Sequence, residues 1–246
     1  MREYNPIELP ETDYTIKIDN LPPFDILDYD LTDDKDIVRY LKDIERICRN
    51  SRCYKKMINF LREYVDMSKC SFYENINNLD TYSIKIHIHH APLTLYDIVS
   101  TVYSKRVACG ESLSVSMVAK EVMFNHYKMV VGLIPLSETV HELVHNGYLF
   151  IPTTNVFGNY KGFISAYEKY MNPELLATLR RAEEISKTYD YSKETKILEF
   201  HPVYIDTTGA YQFPNKEEII ELMSKKIKDI EEKCLSVQNI EVKENG

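Results

Sequence analysis

Histidine is the residue type whose placement carries the most chemistry in this chain. Six of its seven histidines fall between His87 and His145, and only His201 lies outside. They form three groups: His87-Ile-His89-His90, the single His126, and His141-Glu-Leu-Val-His145. Imidazole is the commonest metal ligand and the usual base near neutral pH. His141 and His145 are four apart, so on a helix they share one face and can bind one divalent ion together. A histidine at a strand end can supply a third ligand and leave positions open for water and substrate. Its neighbour in the strand points the other way, stays free of metal, and can act as a general base.

The elements that must position these groups are legible in outline. Ile84, Ile86 and Ile88 alternate with Lys85, His87 and His89, which predicts a half-buried strand over 83–89. Thr94-Leu-Tyr-Asp97 is a capping box that opens a helix to about Tyr103. A further helix is expected over 112–127, then a short β-branched run over 128–136. A helix over 138–145 stops at Asn146-Gly147, and a short strand is expected over 148–152. Upstream, helices are expected over 36–48 and 51–66. The first has an apolar stripe of Val38, Leu41, Ile44 and Cys48, and the second turns Met57, Ile58, Phe60, Leu61 and Val65 inward. Downstream, Asn172 caps a helix that starts at Pro173 and runs to about Lys187. A strand over 196–205 and an amphipathic helix over 215–234 complete the reading.

Placed on these elements, the segment Gly132-Leu-Ile-Pro-Leu-Ser-Glu-Thr-Val-His141-Glu-Leu-Val-His145-Asn-Gly147 resembles the second half of the HNH (His-Me finger, ββα-metal) nuclease motif. Ile88-His89-His90-Ala91-Pro92 resembles its first half. The resemblance covers residues 87 to 147. It implies an endonuclease that hydrolyses phosphodiester bonds in nucleic acid, DNA before RNA, with one divalent metal ion as cofactor. It also implies roles: His90 as the general base, and His89, His141 and His145 as the metal ligands. The ion would stabilise charge on the pentacovalent phosphate and the departing 3′ oxygen. Three departures stand out. Gly132 occupies the position of the motif's middle Asn. An insertion of about residues 94–127 separates the halves. Ser137 and Val140 stand where many members carry zinc-knuckle cysteines.

His141-Glu142-Leu-Val-His145 is also a literal H-E-x-x-H, the zincin protease signature. That reading makes Glu142 the base and needs a downstream ligand, with Glu168, Glu183 and Glu184 as candidates. Its helix is short for a zincin, and it leaves His89 and His90 unexplained. A catalytically degenerate nuclease core acting as a binding or assembly module is the other alternative, motivated by Gly132.

Charge narrows the partners. The chain has 246 residues and a net charge of −8. Residues 1–36 hold eleven acids against Arg2, Lys17 and Lys35, which accounts for the whole of it. The remainder balances, so the acidic total argues against nucleic acid only for the lead-in. Arg39, Lys42, Arg46 and Arg49 recur at helical spacing and are the candidate phosphate contacts. Tyr160, Tyr167 and Tyr170 are read as packing before base stacking. Five scattered cysteines without C-x-x-C favour a reducing compartment, and Cys48 and Cys53 are read as buried thiols. No apolar run reaches membrane-spanning length and the first residues carry no secretory signature, so a cytoplasmic location and no membrane partner are expected. P-loop, Rossmann and nucleophile-elbow motifs are absent.

The expected fold is α+β and helix-rich. Its parts are an acidic extended lead-in (1–36), a helical region (37–80), a ββα-metal core with a helical insertion (81–152), and a helical region with a short strand (153–246).

Overall fold

A computed structural model describes residues 16–19, 21, 29–72 and 85–189. The chain divides into two compact units, 1–201 and 202–246, and the described residues lie in the first. The strand expected over 196–205 and the helix over 215–234 fall outside them.

The described fold is helix-rich α+β, with seven α-helices and one small sheet among these residues. The helices are α1 (Asp34–Asn50), α2 (Arg52–Tyr64), α3 (Leu95–Cys109), α4 (Val115–Tyr127), α5 (Glu138–His145), α6 (Tyr160–Tyr167) and α7 (Pro173–Lys187). The strands β1 (Ile86–His90) and β2 (Leu133–Ser137) pair antiparallel, with His89 opposite Ile134 and His90 opposite Leu133.

Local sequence chemistry explains most of the boundaries. Ser51 ends α1 and caps α2: its hydroxyl donates to Cys48 O at 2.7 Å and accepts from Tyr54 N at 3.2 Å. The Thr94–Asp97 capping box is formed in both directions, so its two orphan backbone donors are satisfied reciprocally. The helix it opens runs on to Cys109, past the expected Tyr103, and closes on Gly110 at φ +63°. Asn172 accepts from Glu174 N at 2.8 Å and Pro173 opens α7. Along α1 the buried side chains are Tyr40, Leu41, Ile44, Ile47 and Cys48. Val38, expected in that stripe, is exposed, and Tyr40 and Ile47 take up the face instead.

One correction concerns a strand. Residues 148–152 form no strand. The chain turns there, and Phe157 bridges to Leu133 instead, with 2.8 Å bonds in both directions. The short apolar run Leu149–Ile151 resembles a strand in composition, but Leu149 packs against α5 and β2 in a local cluster.

The core has two parts that meet at the sheet. Strand side chains alternate, and directly paired residues share a face. Ile134 and Leu136 therefore lie on the face of His89 and His87, and there they pack with Val140 and Leu143 of α5. Ile88 and Leu133 face the larger core built from α1, α2, α3, α4, α6 and α7. The helices inserted between β1 and β2 are part of this larger core. A buried ion pair ties them together: Arg106 Nε of α3 lies 2.6 Å from Glu121 Oε2 of α4. Tyr167 of α6 donates to Glu121 Oε1 at 2.9 Å, and Asn125 Nδ2 donates to Tyr167 Oη at 3.0 Å.

Candidate metal centre

The first cluster arises where β1 meets α5. The end of β2 runs directly into α5, and Glu138 N donates to Lys85 O at 3.2 Å, which fixes the first turn of α5 beside the start of β1. Val140 and Leu143 anchor the apolar side of α5 to Ile134 and Leu136. His141 and His145 then flank the strand face that carries His87 and His89.

His89, His141 and His145 converge there, each offering one ring nitrogen, with all three nitrogens within 4.8 Å of one another. His141 Nε2 and His145 Nε2 are 3.1 Å apart. Nitrogens on one tetrahedral zinc sit about 2.0–2.1 Å from the ion, hence about 3.3 Å apart. The helical pair is already spaced as an edge of such a tetrahedron, and the His89 nitrogen lies within 4.8 Å of both. His145 is exposed and the other two are half-buried, so a fourth position would open to solvent.

The protonation state suits ligation. Burial, followed by the neighbouring charges of His141 and His145, pushes His89 down to about 4. Burial, followed by His145 and His87, does the same to His141. Both rings are neutral near pH 7, as metal binding requires. The donor set and geometry fit a divalent ion.

A fourth histidine, His87, borders the triad. Its ring stacks on His141 with centroids 5.0 Å apart and planes 21° from parallel. Its Nε2 is buried without a hydrogen-bond partner. The alternation along β1 already placed it on the His89 face.

His90 stands apart from this cluster. It lies on the opposite face of β1, 4% exposed, against α2 and α4. Tyr54 stacks on it, with centroids 6.2 Å apart. Its Nε2 is 2.9 Å from Nε2 of His126, which is fully buried. Burial and the charge of His126 hold His90 well below the ordinary imidazole range. Burial pushes His126 to about 4, against the opposing effect of its bond to Val122 O.

Gly132 is required by close approach. Ala91 N donates to Gly132 O at 3.1 Å, and a Cβ on Gly132 would lie 1.8 Å from Ala91 O and 2.7 Å from Val156 Cγ1. No side chain fits at this position.

The basic stripe on α1 is interleaved with acids of its own helix. Arg39 pairs with Asp36 at 3.2 Å, Arg46 with Asp43 at 2.7 Å and Arg49 with Glu45 at 2.8 Å, while Lys42 is exposed. Such surface pairs contribute about 0–1 kcal/mol, so they hold the guanidinium groups only loosely. Arg49 contributes to the lowering of His89, His90, His126 and His141. Two of the three downstream glutamates of the zincin reading are engaged elsewhere: Glu168 with Arg180 at 3.3 Å, and Glu183 with Tyr160 and Lys161. Tyr160 is buried, and Tyr167 stacks on Phe163 with centroids 4.5 Å apart, so both pack. Cys48 is a buried thiol and Cys53 a half-buried one. No described helix is long and apolar enough to cross a membrane.

Against known proteins, no curated protein and no solved structure matches the chain. Residues 8–233 match a family described as bacteriophage G278-like virion proteins. That match spans nearly the whole sequence, and the chain belongs to the bacteriophage G278-like virion protein family.

Proposed function

We propose that this virion-family protein is a metal-dependent nuclease of the HNH type, acting on DNA before RNA. The observation that carries the reading is the convergence of His89, His141 and His145 on one point, within a β–β–α arrangement in the order of a generic ββα-metal motif. These three residues would hold one divalent ion, and the chemistry it would supply there is Lewis-acid stabilisation of charge on a phosphodiester. His90 takes the proton from the attacking water. Arg49 is the first candidate to meet the substrate backbone, supported by Arg39, Lys42 and Arg46. An HNH core over about 81–152, flanked by helical regions, is the domain organisation that goes with this reading. A family of phage virion proteins supports a place of action with the phage particle.

A second reading is favoured by one observation. His90 is almost wholly buried, on the face of β1 away from the triad. On this reading the chain binds metal and serves in assembly without cutting. A supercoiled-plasmid nicking assay separates the two. Wild type and His90→Ala are compared with Mg²⁺, Mn²⁺, Ni²⁺, Zn²⁺ or EDTA. The nuclease reading expects metal-dependent nicking that the variant loses. Absence of nicking with every metal selects the assembly reading.

A further inference from the structure

The contact between β1 and α4 fixes where the hydrogens sit on two buried imidazoles. His126 occupies the last turn of α4, and its Nδ1 lies 2.7 Å from Val122 O, one turn back. A carbonyl oxygen only accepts, so Nδ1 carries the hydrogen and donates. A neutral imidazole has a single N–H, and the buried His126 ring is neutral near pH 7. Its Nε2 therefore presents a lone pair. That lone pair lies 2.9 Å from Nε2 of His90. Two lone pairs cannot face one another at this distance, so His90 Nε2 carries a hydrogen and donates it. In the neutral His90 ring, Nδ1 is then the only basic atom.

The neighbouring side chains keep the pair in register. Tyr54 lies flat against His90, at 16° between planes, and meets His126 edge-on at 71°. Tyr54 is itself placed by the Ser51 cap of α2. α4 is tied to α3 and α6 through Glu121.

We propose that His126 is the positioning residue for His90: it holds His90 as the Nε2–H tautomer and reserves Nδ1 as the proton acceptor. This assignment rests on the hydrolytic reading above for its consequence, but for the tautomers only on the hydrogen-bond geometry of two buried, neutral rings. It also gives the inserted helices a role at the site. Gly132 has no room for a bracing side chain, and the brace comes from α4 instead. A base oriented by a second group, which is in turn held by a third, is the general arrangement by which enzymes fix an imidazole's tautomer. Here the order is His90, His126, Val122 O.

The test uses the full chain labelled with ¹⁵N in its histidines. Long-range ¹H–¹⁵N correlation reads the tautomer of each ring directly. The expected result is His126 as Nδ1–H and His90 as Nε2–H. A His90 ring in the Nδ1–H form overturns the inference, whether or not the protein cuts DNA. In the nicking assay, His126→Leu should lower kcat about 10²-fold or more, with KM and metal stoichiometry unchanged. His126→Gln, whose carboxamide can donate to Val122 O and accept from His90, should restore most of the rate. Equal loss in both variants, with folding and metal stoichiometry intact, overturns the positioning role. Should His126→Leu fail to fold, the wild-type spectrum still decides the tautomers. A wild-type protein that cuts nothing with any metal defeats the hydrolytic reading, a result distinct from the tautomer outcome.

Discussion

His89 and His90 are neighbours in sequence and lie on opposite faces of one strand. His89 meets the helical pair His141 and His145, with ring centroids 5.1 Å from each. His90 meets His126 inside the larger core, with centroids 5.1 Å apart. One strand thus feeds two imidazole clusters of different character, an accessible one suited to a metal and a buried one held by hydrogen bonds. The alternation of strand side chains is the whole cause.

Because Gly132 abuts Ala91, restoring an asparagine there should not improve the site. Gly132→Asn should destabilise the fold by roughly 3 kcal/mol or more, since the clash is with backbone that cannot swing away. Urea unfolding followed by circular dichroism checks this. An unchanged midpoint would mean that the β1–β2 connection is looser than the close Ala91–Gly132 contact implies.

Glu121 holds α3, α4 and α6 through Arg106, Lys105 and Tyr167. Glu121→Ala leaves the Arg106 guanidinium buried without its closest partner, and loss of one member of a buried pair costs about 3–5 kcal/mol. A drop of that size in unfolding free energy is expected. A change under about 1 kcal/mol would show that Glu111 or water replaces the pairing.

Stability should also fall on acidification. His126 is neutral in the fold, and its pKa drops from 6.5 to about 4. The unfolded chain therefore binds more protons between these values. The stabilisation is full above pH 6.5 and is lost as pH falls toward 4, about 3 kcal/mol in all. The groups acting on it are His90 from β1, Tyr54 from α2, Arg49 from α1 and the Val122 carbonyl. Unfolding free energies measured in EDTA from pH 7.5 to 4.5 should show a shallower slope in His126→Gln than in wild type. Parallel slopes would assign the acid sensitivity to other groups.

His87 gives a prediction of the opposite sign. Its buried Nε2 has no partner, and an unsatisfied buried nitrogen costs about 1–3 kcal/mol. His87→Phe keeps a flat ring against His141 and removes that nitrogen. Thermal stability of the metal-free protein should be equal or higher, and one ion per chain should still bind. Loss of binding would place His87 among the ligands.

Much of this was legible in the sequence because it is local. The Thr94–Asp97 box, the Asn172-Pro173 start of α7 and the Glu138–His145 helix each follow from residues adjacent in the chain. The i, i+4 spacing of His141 and His145 and the alternation around His89 are equally local. Three features were hidden because they depend on distant packing. His126 lies 36 residues from His90, and nothing in a helical residue's own neighbourhood names its partner across the core. The run over 148–152 has the apolar composition of a strand, yet β2 finds its second neighbour at Phe157. The reason for Gly132, an approach to Ala91 across the sheet, is likewise invisible in one dimension.

The proposed divalent centre consists of His89, His141 and His145 and excludes His90. Titration of Zn²⁺ and Ni²⁺ into the metal-free full chain by calorimetry tests it most directly. One ion per chain is expected in wild type and in His90→Ala, with loss of that site in His89→Ala and His145→Ala. Absence of binding in wild type, or equal loss in His90→Ala and His145→Ala, would contradict it.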